Sequence, residues 1–93
     1  MDLKKLKYFA VVATEGSFHR ASAKLYVAQP ALSRQIRDLE EEIGVDLFVR
    51  SSRGVSLSPA GEVLLAEVER LLPQIEQAKK MTRRAAAGQF GTL

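Results

Sequence analysis

The sequence predicts a mainly α fold: three helices, a two-stranded β-hairpin, and one long helix to finish. Three observations carry this. Leu32, Ile36, Leu39 and Ile43 recur at helical spacing, so one stripe of that segment can be buried while Gln29, Ser33, Arg34 and Arg37 look outward. Branched and aromatic residues from Val45 to Arg50 and from Val55 to Leu57 flank Ser51-Ser52-Arg53-Gly54, the pattern of a small hairpin. Beyond Ser58, Leu64, Val68, Leu71, Ile75, Ala78, Thr82 and Ala85 step by fours and threes.

Taken in order, Asp2 can cap a first helix whose buried stripe is Leu3, Leu6, Phe9 or Ala10, and Ala13, with Tyr8 and Val12 beside it. Gly16 can close it in the left-handed conformation. Ser17 then caps a second helix with Phe18, Ala21, Ser22 and Leu25 turned inward. Only Tyr26, Val27 and Ala28 separate it from the third, which starts with Pro30 in its first turn and ends at Gly44. So short a link forces an angled crossing, which is helix-turn-helix spacing. A two-stranded hairpin is marginal alone, so Leu47, Val49, Val55 and Leu57 are expected to lean on the helices. A hairpin in that place is a wing, with Arg53 at its tip. Ser58-Pro59 opens the last helix. Its heptad spacing persists on both sides of Pro73, so the helix is expected to continue through a kink there. Ala60, Val63 and Leu72 add a second apolar stripe. One stripe can rest on the winged unit and the other is left outward. The domains are thus read as 1–58 for the winged helix-turn-helix, 59–87 for a linker helix, and 88–93 for a Gly-rich hinge towards a further domain.

The third helix has a divided polar face. Gln29, Ser33, Arg34, Gln35 and Arg37 fill its first half, and Asp38, Glu40, Glu41 and Glu42 its second. Acids at a helix C-terminus oppose the macrodipole and repel phosphate, so the division makes little sense as stability tuning. It does make sense if only the first turns approach DNA. Arg pairs two-pronged with guanine, Gln with adenine, and Ser serves a base or a phosphate. An Arg beside Gly54 on a thin projection suits a narrow minor groove. The plainer alternatives are a solvated face on a core helix and a solvated turn arginine.

Composition bounds the remaining classes. At 93 residues, 46% hydrophobic and 27% charged, the chain holds one small globular domain. It has no cysteine, which removes disulfides, thiolate metal sites and Cys nucleophiles. His19, the single histidine, has no Cys or His neighbour to share a metal, and the run Glu40-Glu41-Glu42 points in directions about 100° apart and reads as a solvated helix end. No triad pattern or Gly-rich phosphate loop is visible, so neither an enzyme nor a cofactor is expected. No apolar run approaches the length of a membrane span, and a cytoplasmic location is the default. The formal net charge of +3 favours an anionic partner. That partner is double-stranded DNA or, in the competing reading, an acidic protein met by a winged-helix interaction module.

Ser17-Phe18-x-x-Ala21-x-x-x-Leu25, Gln29-Pro30-Ala31-Leu32-Ser33-Arg34-Gln35-Ile36-x-x-Leu39-Glu40, Leu47-Phe48-x-Arg50 and Leu57-Ser58-x-Ala60-Gly61 together closely resemble the N-terminal domain of LysR-type transcriptional regulators. The resemblance spans nearly the whole chain. It implies a winged helix-turn-helix, a linker helix that forms dimers, and a ligand-sensing domain beyond these residues that would hold any effector. It also implies base contacts from Gln29, Pro30, Ser33 and Arg34, a minor-groove Arg53, and Arg50 near phosphate. Ser17, His19, Arg20, Gln35 and Arg37 complete the phosphate-facing set expected with them. The expected dimer seam is Leu64, Val68, Leu71, Leu72, Ile75, Ala78 and Thr82. Two positions depart from the family pattern. Ala28 stands where Ser is commoner, weakening a helix cap by about 1 kcal/mol, and His19 stands where a hydroxyl is commoner, which puts one phosphate contact in doubt.

Overall fold

In the computed structural model, which describes residues 1–88, the chain runs α1 (Leu3–Glu15), α2 (Phe18–Leu25), α3 (Gln29–Ile43), β1 (Phe48–Ser51), β2 (Gly54–Leu57) and α4 (Pro59–Ala86). Local chemistry sets the boundaries. Asp2 accepts the Lys5 N–H at 2.8 Å, and that bond, followed by the nearby lysine charges, holds its carboxyl below the ordinary value. Gly16 ends α1 at φ 66°, Ser17 accepts the Arg20 N–H at 3.1 Å, and Gly44 ends α3 at φ 87°. Ala28 makes no side-chain cap, so Pro30 alone marks the start of α3. The hinge expected at 88–93 falls, beyond Gly88, outside the described residues.

The core lies where α1 packs on α2, α3 and α4. Phe9, Val12, Ala21, Leu32, Ile36, Leu39, Leu47 and Val68 are essentially inaccessible. Val12 is therefore central rather than flanking, because helices press on both sides of Phe9. Ile43 is 41% exposed, not buried, since the chain turns away at Gly44 before anything covers the last turn of α3.

The hairpin is antiparallel, with Phe48 opposite Leu57, Val49 opposite Ser56, Arg50 opposite Val55, and Ser51 opposite Gly54. Its inward face carries Phe48, Val55 and Leu57; Val49, expected to face in, is 51% exposed on the other side. Leu47 is buried ahead of the strand and Phe48 takes the first inward strand position, so alternation sends Val49 to solvent. Phe48 meets Phe9 at a centroid distance of 5.3 Å and Phe18 at 5.9 Å, tilted and edge-on, as aromatic quadrupoles prefer.

Two residues, Glu40 and Ser58, lock the wing between helices. Glu40 on α3 accepts the Leu47 N–H at 2.8 Å and the Phe48 N–H at 3.4 Å, so it is not the solvated acid expected from the acidic run. Ser58 donates its own N–H to the Leu47 carbonyl at 2.9 Å and its hydroxyl to the Asp46 carbonyl at 2.7 Å, while accepting from Gly61 N–H at 3.0 Å.

α4 runs unbroken through Pro73 for 28 residues, about 42 Å at 1.5 Å per residue, in a molecule 59 Å along its longest axis. Its first half rests on the winged unit through Gly61, Leu64, Leu65, Val68 and Leu72. Val68, expected in a dimer seam, has no surface left to offer because it sits fully buried in its own core. Leu64 and Leu72 are partly committed to the same core. Among the described residues no helix is long and apolar enough to cross a membrane.

Candidate nucleic-acid interface

The outer face of α3 is assembled by the burial of its inner one. With Leu32, Ile36 and Leu39 inside, Gln29, Ser33 and Arg37 fall on one ridge at four-residue steps, with Pro30 and Arg34 on the next. Gln29, Pro30, Arg34 and Arg37 are exposed and Ser33 is half-buried. The Arg34 side chain is 72% exposed, with its Nε 3.6 Å from Asp38 Oδ1. Gln35 is half-buried, and its Oε1 is enclosed with no hydrogen-bond partner among the described residues.

A second cluster forms at the start of α2. The Ser17 hydroxyl caps the helix as acceptor and keeps its proton for another partner, and His19 and Arg20 are exposed beside it. Arg50 reaches this cluster from the wing, its guanidinium 4.4 Å from the centre of the Phe18 ring. Register explains the meeting, since Arg50 shares the inward face of the hairpin with Phe48. The contact with the ring face holds the guanidinium near the start of α2 while Arg50 remains an exposed residue.

Arg53 stands exposed at the tip, with its N–H bonded to Ser51 Oγ at 3.3 Å. Gly54 makes the turn possible twice over. Its φ is 119°, and a Cβ there would lie 2.8 Å from the Gly16 carbonyl oxygen, the atom that also accepts the Val55 N–H. The wing is thus pinned to the corner between α1 and α2.

The arrangement therefore presents four arginines from three elements, Arg20, Arg34, Arg37 and Arg50, with Arg53 projecting beyond them. Sequence reasoning missed Glu40 as the wing's anchor and the pairing of Asp38 with Arg34. The four-residue step from Arg34 to Asp38 was the only local signal for the second, and nothing local signals the first.

A family model described as bacterial regulatory helix-turn-helix protein, lysR family, matches residues 3–62. The chain is 41% identical over its whole length to the HTH-type transcriptional regulator TfdT of Cupriavidus pinatubonensis, of which it covers 41%. It thus spans less than half the length of that relative. Among solved structures, a complex of the BenM DNA-binding domain with catB site 1 DNA superposes with a TM-score of 0.91 at 45% identity, covering 96% of either chain. A complex of the CbnR DNA-binding domain with DNA gives a TM-score of 0.89 at 38% identity, covering 92% of this chain and 99% of that one. The described fold has the same winged helix-turn-helix and long terminal helix, and the family model takes in every element from α1 to the start of α4. This chain belongs to the lysR family of bacterial regulatory helix-turn-helix proteins, a regulatory family and not an enzymatic one.

Proposed function

We propose that the chain is the DNA-binding domain of a bacterial transcriptional regulator that works in the cytoplasm and binds double-stranded DNA as a homodimer. The observation that carries this is the outward face of α3, where Gln29 and Arg34 stand exposed with half-buried Ser33 between them on the second helix of a helix-turn-helix. Relatives of the same fold were crystallised with DNA, which supports the same use here. In this reading Gln29, Pro30, Ser33 and Arg34 meet base edges in the major groove and Arg53 enters the flanking minor groove. Ser17, His19, Arg20, Gln35, Arg37 and Arg50 meet phosphates and set the register without reading sequence. Residues 1–58 form the reading unit and 59–87 the linker, and any effector would be bound by a domain outside this chain.

The test is binding to an operator selected from a random duplex library and to random duplex, each titrated with salt. A steep log-log slope is expected on both, because phosphate neutralisation releases counterions. Arg34→Ala should cost about 1 to 3 kcal/mol on the operator and much less on random DNA. An equal loss on both would make Arg34 a phosphate contact. Flat salt dependence with tight binding to an acidic protein would favour the interaction-module reading.

Dimerisation is assigned to the outer half of α4. After Val68, Leu64 and Leu72 are committed inward, Leu71, Ile75, Ala78 and Thr82 remain, together with Met81 at 40% exposure. Thr82 satisfies its hydroxyl on the Ala78 carbonyl at 2.9 Å and so can sit in an apolar seam without a lost hydrogen bond. The helix extends about 20 Å beyond Leu72, long enough to cross a twin and hold two wings on separate half-sites. Leu71→Glu should convert a micromolar dimer to monomer in sedimentation with little loss of monomer fold, because Leu71 is already 36% exposed. A persistent dimer would refute this seam.

A further inference from the structure

We propose that Asp38 is a positioning residue for Arg34: it holds the guanidinium ready for a two-pronged contact with guanine and opposes its capture by phosphate. The proposal rests on the DNA-binding reading above.

Stability does not account for the pair. Arg34 is largely in water and Asp38 partly so, at 72% and 42% exposure, where ion pairs contribute little. The order is also the weaker one for a helix, with the base N-terminal to the acid. Nor does spacing enforce it: Arg37 and Glu41 stand at the same four-residue step, and no ion pair joins them among the described residues.

What the pair does is decide which edge of Arg34 is free. The carboxylate faces Nε, so both terminal nitrogens remain to form the fork that matches guanine O6 and N7. At 3.6 Å the hold is electrostatic rather than a formed hydrogen bond, and it leaves the head free to settle on a base. A phosphate oxygen reaching for the same arginine would come within the field of Asp38, a like charge one helical turn away. Asp38 thus costs little in a complex where Arg34 reads a base and more in any complex where Arg34 merely neutralises backbone. The effect is on discrimination between sequences, not on binding as such.

The experiment compares affinities for a library-selected operator and for random duplex at one salt concentration. Asp38→Ala should raise affinity for random duplex without raising it for the operator, lowering the ratio about fivefold, the low end of what a two-pronged guanine contact is worth. Glu41→Gln removes one negative charge from the same helix without a partner on Arg34 and should shift both affinities by the same factor. In an Arg34→Ala background, Asp38→Ala should leave the ratio unchanged. An equal shift on both duplexes in Asp38→Ala, or a ratio loss that survives removal of Arg34, would overturn the proposal. A wild-type chain with no preference between the duplexes would instead remove the DNA-reading assignment, and the proposal with it.

Discussion

Gly61→Ala should destabilise the domain by about 2 to 4 kcal/mol, although alanine is the better helix former by about 1 kcal/mol. Gly61 lies in the first turn of α4, buried, where an added Cβ would stand 2.1 Å from the Leu47 carbonyl oxygen and 2.9 Å from Leu57 Cδ2. The first of these atoms cannot move cheaply. Leu47 is bracketed between helices, its N–H on Glu40 of α3 and its carbonyl on the Ser58 N–H at the head of α4. To admit a methyl group, α4 must lift from the wing or the wing must leave α3. For a domain of this size the loss corresponds to roughly 10 to 30 °C in Tm. Thermal unfolding followed by circular dichroism reads it directly, and a Tm within a few degrees of wild type would mean that α4 does not seat on the Leu47 carbonyl as described.

Phe48→Ala is expected to cost about 3 to 5 kcal/mol, as much as a small domain can spare. The ring touches both Phe9 of α1 and Phe18 of α2. Its removal opens a cavity where β1 meets the helical core and frees the strand that carries Arg50 to the Phe18 ring. Phe48→Leu, which keeps most of the volume, should lose clearly less. Chemical denaturation of the two variants checks the order. Equal losses would point to the edge-to-face geometry, rather than the filled volume, as what matters at this position.

Much of this architecture is legible in the sequence. Asp2, Ser17, Gly16, Gly44 and Ser58 mark helix ends through bonds and dihedrals formed within a few residues, so local sequence suffices to read them. The outward set on α3 was legible for the same reason. Leu32, Ile36 and Leu39 define one buried stripe, and a rigid 3.6-residue repeat then dictates where Gln29, Ser33 and Arg34 point. Motif spacing likewise sufficed for the family, which residues 3–62 match.

The sequence could not set the phase of the wing. Leu47, Phe48 and Val49 are all apolar, so a period of two fits either face, and only the pocket between Phe9 and Phe18 chose Phe48 for the inside and Val49 for the outside. The same ambiguity misplaced Val68. α4 carries apolar residues on more than one stripe, and which of them is consumed by the domain depends on how the helix docks against α1 and β2. Glu40 and Gly61 were illegible for a different reason. Their roles exist only through Leu47, which is seven residues from Glu40 and brought against Gly61 by the fold of the hairpin. Caps, turns and helix faces are local properties of a chain, and the sequence by itself determined them here. Docking phase, the anchoring of the wing and the seat of α4 are contacts between distant segments, and packing in three dimensions decided them.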